Sequence, residues 1–139
     1  MEPILSSFRL TDHTRFAYAL TVEFIEAPLF TQLLPDFLKD DEYRELQQHL
    51  SRDPEAGDVM PGTGGFRKLR WADTRRGKGK RGGLRLIYYF FLADSQIWLI
   101  TVYDKDSMTD LSPAEKRVLK AAIERETQER ARHRTERRK

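Results

Sequence analysis

Three short runs of strand-forming residues follow one another between residues 66 and 103, and they constrain the fold more than any other feature of the sequence. The runs cover 66–72, 84–92 and 97–103, and a short polar turn joins the last two. The middle run contains LIYYFFL, which would be apolar on both faces of a strand. We therefore predict an antiparallel meander in which 84–92 is the central strand, buried between layers.

The segment before the meander predicts one strand and two helices. Residues 20–25 alternate as a strand does, and the apolar stretch PLFTQLLPDFL is helical in pattern but interrupted at Pro35. A second helix is predicted over about 41–52, with Asp40 or Asp41 as its cap. These two helices are expected to cover the sheet.

The end of the chain carries the clearest helix start. Ser112 as N-cap, Pro113 at the first helical position and Glu115 two positions later form a capping box. Beyond Glu126 the sequence becomes rich in arginine and poor in apolar residues, so the helix is expected to fray there. The predicted fold is α+β: a twisted antiparallel sheet of about four strands with two N-terminal helices and one C-terminal helix.

These patterns divide the chain of 139 residues into one domain and two flanking segments. The predicted parts are an irregular N-terminal extension (1–19), a globular domain (20–126) and an Arg-rich tail (127–139).

Composition excludes several classes of protein. The chain has no cysteine, so neither a disulfide framework nor a thiolate metal site is available. Its three histidines lack metal-ligand spacing, and we expect neither a metal nor a small-molecule cofactor. The first twenty residues carry charges that a signal peptide would not, and no apolar run approaches the ~20 residues of a membrane span. We expect a soluble cytoplasmic protein without a membrane partner.

The positive charge is concentrated in one place. Residues 67–85 hold nine lysines and arginines against Asp73 alone, although the net charge of the whole chain is only +3. A surface that needs only solubility would intersperse charges of both signs, because like charges on one hairpin repel. The concentration favours a polyanionic partner such as a nucleic acid, and a solvated sheet edge protected by cations is the alternative.

Strand alternation indicates which of these cations cooperate. Leu69 and Trp71 have the character of core residues, so Lys68 and Arg70 are predicted to point to the opposite face of their strand. If the strands pair in sequence order, residues from the next two strands join them on one patch. The candidate catalytic residues are Lys68, Arg70, Arg85, Tyr103 and Lys105.

Around this patch we expect a basic rim that contacts RNA. Cations suit phosphate oxygens, and the ring of Tyr103 is a candidate for stacking on a base. The candidate RNA-binding residues are Arg67, Arg75, Arg76, Lys78, Lys80 and Arg81.

Three stretches, GTGGFRKLR, GKGKRGGLRLIYYF and TVYDKDSMTDL, resemble in their order and spacing the RelE/HigB group of bacterial toxin–antitoxin toxins, the HigB branch above all. The similarity runs from about Val22 to Ser112. It implies a small RelE-like fold with a twisted antiparallel sheet flanked by helices. It also implies an mRNA endoribonuclease that acts in the ribosomal A site and inhibits translation until a cognate antitoxin neutralises it.

The resemblance carries over to Lys68, Arg70, Arg85 and Lys105. Relatives commonly have glycine where this chain has Asp104, and that carboxylate is expected to pair with Lys105.

The expected chemistry is metal-independent attack of a ribose 2′-hydroxyl on the adjacent phosphate, with arginines on the nonbridging oxygens and Lys68 or Lys105 carrying protons. Two alternatives remain at this point: a ParE-like toxin that inhibits DNA gyrase, and a noncatalytic RNA- or DNA-binding module.

Overall fold

The computed structural model describes residues 22–75, 83–107 and 110–138 of the chain. In chain order the elements are β1 (Glu23–Glu26), α1 (Pro28–Phe37), α2 (Asp40–Arg52), β2 (Asp58–Val59), β3 (Arg67–Trp71), β4 (Leu84–Phe91), β5 (Gln96–Asp104) and α3 (Pro113–Arg138). Among these residues no helix is both long enough and apolar enough to cross a membrane.

The five strands form one mixed sheet in the order β1-β5-β4-β3-β2. The meander of β3, β4 and β5 is antiparallel with β4 at its centre, as predicted. The α+β class is confirmed, with five strands where about four were predicted and one parallel pairing where all were expected to be antiparallel. β1 pairs with β5 in parallel, and β2 adds two residues to the edge of β3. β1 and β5 are distant in sequence, and β2 is only two residues long. Local sequence patterns therefore reveal neither pairing.

Both faces of the sheet are covered, which explains why the β4 sequence is apolar throughout. On one face α1 and α2 contribute Phe30 and Leu46 to a core that includes Leu86 of β4. On the other face Ile123 of α3 packs with Ile87 of β4. Each fully buried side chain of this size contributes roughly 1.5–3 kcal/mol, so the two layers fix β4 firmly.

A β-bulge in β5 changes which side chains share a face. Ile87 pairs with Thr101, whereas the next residue, Tyr88, pairs with Leu99, so Ile100 is an extra residue. Strict alternation from Leu99 would put residue 103 on the face of α1 and α2. The bulge instead turns Tyr103 to the face of α3.

The two N-terminal helices differ in detail from the prediction. α1 is not interrupted at Pro35 but continues to Phe37, because a proline in the last turn removes only one backbone hydrogen bond before the helix ends. α2 begins one residue earlier than expected. Lys39, and neither of the aspartates, is its N-cap residue, and the Lys39 backbone N–H donates to Glu42 Oε1 at 2.8 Å.

The C-terminal helix begins as predicted and ends much later. Ser112 Oγ accepts from the Glu115 backbone N–H at 3.1 Å, and Glu115 Oε1 accepts from the Ser112 N–H at 2.7 Å. The predicted fraying after Glu126 is wrong, because α3 continues to Arg138. Two arginines of this part of α3 contact Asp94: Arg130, whose Nη1 lies 2.7 Å from Asp94 Oδ2 and whose guanidinium lies over the Phe91 ring, and Arg134, whose Nη1 lies 3.6 Å from the same oxygen.

Candidate nucleic-acid interface

Four of the predicted site residues share one face of the sheet at one end. Arg70 of β3 is directly opposite Arg85 of β4, which is directly opposite Tyr103 of β5. Lys68 is opposite Ile87, which belongs to the core under α3. Since paired residues of neighbouring strands point to the same face, all four lie on the side of α3. We call this line of three cations and one tyrosine, made of Lys68, Arg70, Arg85 and Tyr103, the cation row.

Alternation along β3 fixes this orientation. Leu69 is buried against α1 and α2, and Trp71 packs on the same core. The prediction that Lys68 and Arg70 point the other way is confirmed by the pairing register.

Within the cation row, Arg70 and Arg85 place two like charges side by side. The Cβ atoms of directly opposed residues are about 5 Å apart, and like charges in such a pair destabilise a sheet. Arg70 is exposed, and Arg85 is half-buried with its Nη1 donating to the Leu84 carbonyl at 3.3 Å. A bound anion between the two guanidinium groups would relieve the repulsion.

Lys68 is connected to α3 through a carboxylate. Its Nζ lies 3.6 Å from Asp110 Oδ1, and Lys116 Nζ of α3 lies 3.5 Å from Asp110 Oδ2. Burial alone would raise the pKa of the Asp110 carboxyl, but the Leu111 backbone N–H and the two lysine charges lower it below its ordinary value. Asp110 is therefore a carboxylate at neutral pH.

Tyr103 is buried, with 6% of its surface exposed. Its ring packs in the core under α3, so it is not presented to a base in the way expected of a stacking residue. Among the described residues its hydroxyl oxygen is buried without a hydrogen-bond partner. Burial and the charge of Asp110 raise the pKa of this hydroxyl while Arg85 lowers it, and the net shift is upward. The group is a neutral hydroxyl, able to donate a hydrogen bond, throughout the physiological pH range.

Lys105 lies just beyond the last pair of the β4–β5 ladder. Its backbone N–H donates to the Gly83 carbonyl at 3.0 Å, and the residue is exposed. The Asp104 carboxylate, which we expected to pair with Lys105, instead accepts from Arg75 Nη2 at 2.9 Å and from the Asp106 backbone N–H at 2.8 Å. Asp104 thus shapes the turn that carries Lys105.

Two of the arginines predicted to bind RNA are bound to protein groups instead. Arg67 lies on the opposite face from the cation row, and its Nη1 donates to the Gly57 carbonyl at 2.8 Å. Arg75 donates to Asp73 through two nitrogens, at 2.9 and 2.8 Å, and its guanidinium lies 4.6 Å from the Phe37 ring centroid. Asp73 holds the pKa of Arg75 above its ordinary value despite the opposing effect of burial. The described contacts of both arginines are those of structural residues.

The other predicted RNA-binding residues, Arg76, Lys78, Lys80 and Arg81, lie outside the described residues. The described residues nearest to them in the sequence are Arg75 and Gly83.

Two residues of the surface were missed from the sequence. Asp110 and Lys116 are adjacent to Lys68 only because α3 packs across the sheet beside β3. The capping box at Ser112 correctly located the first turn of α3, and Lys116 follows directly from it. The sequence does not show how α3 is oriented on the sheet, and the contacts of Asp110 and Lys116 depend on that orientation.

Within residues 22–75, 83–107 and 110–138, no group of three or more His, Cys, Asp or Glu side chains is arranged to hold a metal ion.

No family model matches the chain. Among solved structures, the chain is similar to a double mutant of the Escherichia coli toxin RelE in the free state, with a TM-score of 0.45 and 15% identical residues. The match covers 68% of this chain and 92% of the RelE chain.

Proposed function

We propose that this protein is the toxin of a type II toxin–antitoxin system, a ribosome-dependent endoribonuclease that cleaves mRNA at the cation row. The observation that carries the proposal is the register of β3, β4 and β5, which aligns Arg70, Arg85 and Tyr103 across the sheet with Lys68 on the same face. The resemblance of the sequence to RelE/HigB toxins supports the same function.

The proposed reaction is attack of a ribose 2′-oxygen on the adjacent phosphorus. The O2′–P bond forms and the P–O5′ bond breaks, while the 2′-hydroxyl gives up a proton and the leaving 5′-oxygen gains one. Arg70 and Arg85 would bind the nonbridging oxygens, which gain negative charge in the transition state. Preorganised donors suit this role because they pay no reorganisation cost when the charge develops.

The remaining groups of the site are considered for proton transfer. Lys68 and Lys105 are the candidates for proton transfer, whereas the hydroxyl of Tyr103 is buried and is assigned no contact with the phosphate. General acid–base assistance is worth ~10²–10⁴-fold, which alone makes a slow ribonuclease. The rest of the acceleration would come from the alignment of the message on the ribosome.

The proposed partners follow from this chemistry. The substrate is mRNA in the ribosomal A site, in the cytoplasm, and a cognate antitoxin would neutralise the surface. An acidic or amphipathic antitoxin segment suits a surface of three cations.

The test is expression of wild type and Arg85→Ala in bacteria, with mapping of message 5′ ends. Wild type is expected to arrest growth and to produce cuts in frame with translation. Removal of one such donor costs ~10²–10³-fold in rate, so Arg85→Ala should abolish both effects.

Arg44→Ala is the matched control, because Arg44 is an exposed arginine on α2, across the sheet from the cation row. It should behave as wild type. In-frame cuts that persist in Arg85→Ala, or a wild type that cuts free RNA at the same codons as efficiently as ribosome-bound RNA, would contradict the proposal. Inhibition of supercoiling without mRNA cuts would indicate the gyrase-inhibiting alternative.

A further inference from the structure

Asp110 binds cations from two different elements. One carboxylate oxygen faces Lys68 of β3 at 3.6 Å and the other faces Lys116 of α3 at 3.5 Å. A carboxylate held in this way presents two negative oxygens to two ammonium groups. The nonbridging oxygens of a phosphodiester have the same charge and a similar spacing.

The surface around this carboxylate is open to solvent. The Asp110 side chain is 44% exposed, while those of Lys68 and Lys116 are 29% and 24% exposed. Ion pairs at such exposure contribute little to stability and are weakened further by salt. An incoming anion therefore has little to overcome when it replaces the carboxylate.

Lys116 lies beside the cation row and extends it. Lys68 is on the same sheet face as Arg70 and Arg85, and Lys116 shares an anion with Lys68. The positive surface therefore continues from β4 through β3 onto the first turn of α3.

We propose that Lys116 is a further RNA-phosphate ligand of this surface and that Asp110 occupies the place of a phosphate between Lys68 and Lys116 until RNA binds. The inference rests on the proposed function for its ligand, a single-stranded RNA. It adds α3 to the RNA-binding surface and gives the free protein an internal competitor for its substrate.

The test is fluorescence anisotropy with a labelled single-stranded RNA whose 2′-hydroxyls are methylated, so that no cleavage occurs. Asp110→Asn removes the competitor and should lower the Kd about threefold, whereas Lys116→Gln should raise it about threefold. Lys116→Gln should also reduce the slope of log affinity against log salt by about 0.7, as expected for one lost phosphate contact on a single strand.

Glu124→Gln and Arg125→Gln are the matched controls, because they make the same changes of charge at exposed positions of α3 farther along the helix. Both should shift the Kd less than the site variants do. The two site substitutions should also be coupled: Asp110→Asn should gain less affinity when Lys116 is already replaced.

An affinity of Asp110→Asn equal to that of Glu124→Gln, or lower than that of wild type, would overturn the inference. So would a Lys116→Gln protein that matches Arg125→Gln, or a wild type that does not bind the RNA at low salt. Thermal unfolding of each variant establishes that it is folded. Because no ribosome and no cleavage enter this measurement, a wild type that binds RNA in the expected pattern but never cuts mRNA would contradict the proposed function alone.

Discussion

Arg130 and the pair Arg70 and Arg85 lie at opposite ends of the same face of the sheet. Their described surroundings differ. Near the β4–β5 turn, Arg130 of α3 contacts Asp94 at 2.7 Å and Glu126 at 2.8 Å, and its guanidinium lies 3.8 Å from the centroid of the Phe91 ring. At the other end of the face, Arg70 and Arg85 lie directly opposite each other.

Under the proposed function, Arg130 stabilises the fold whereas Arg70 and Arg85 bind a ligand. Arg130 is mostly buried and is surrounded by opposite charge and aromatic surface, which is how a protein stabilises a cation. The pair at the other end places like charges in adjacent positions of the sheet, where they repel. Removing cations from the two ends should therefore affect stability and function in opposite ways.

The largest stability effect is expected for Arg130→Ala. The substitution removes two ion pairs and a stacked guanidinium, and it should lower the free energy of unfolding by about 1–2 kcal/mol. RNA affinity and mRNA cleavage at permissive temperature should stay near those of wild type. Denaturant unfolding and the cleavage assay measure the two quantities.

Arg132→Ala provides the control for this prediction, because Arg132 is exposed on the same helix and pairs with Glu129 one turn before it. It should change the unfolding free energy by less than about 0.5 kcal/mol. If Arg130→Ala is no more destabilising than this control, the far end of α3 is not held by Arg130.

A smaller effect of opposite sign is expected for Arg70→Gln. Relief of the like-charge contact with Arg85 should leave the free energy of unfolding unchanged or raise it by a few tenths of a kcal/mol, while cleavage falls at least tenfold. Arg44→Gln, the same change on α2, should alter neither quantity. A clear loss of stability in Arg70→Gln would mean that the fold already balances this charge, and the comparison between the two ends would fail.

The smallest effect concerns pH. The folded protein lowers the pKa of Asp110 below its ordinary value of 3.8, so the carboxylate contributes stability that is complete above that value and is lost as the pH falls through the folded pKa. Because the side chain is partly exposed, the contribution should be about 0.5 kcal/mol or less. Wild type should therefore exceed Asp110→Asn slightly at pH 7 in urea unfolding, and the difference should shrink as the pH falls below 3.8. A difference that grows at low pH would contradict this sign.

Local sequence patterns predicted the strands and the helix start that position the site. The alternation of Leu69 and Trp71 with Lys68 and Arg70 was sufficient to orient β3, and the apolar run of β4 identified the central strand. The capping box at Ser112 located the start of α3. In each case the information lies within a few neighbouring residues.

The features that the sequence did not reveal depend on contacts between distant segments. The bulge at Ile100 sets the direction of Tyr103, and nothing in the composition of β5 marks it. Arg67 and Arg75 resembled their basic neighbours in the sequence, yet each is bound by protein groups that only the folded chain brings near. The Arg-rich tail is helical, and Arg130 within it reaches Asp94, a contact across 36 residues.

The most direct test of the cation row as an RNA-cleaving site is the chemistry of the product ends. Purified wild type, added to ribosomes translating a defined message, should yield upstream fragments with a 2′,3′-cyclic phosphate and downstream fragments with a 5′-hydroxyl, and Arg85→Ala should yield neither. Fragments with 5′-phosphate ends, or a message that stays intact on ribosomes with the wild-type protein, would contradict it.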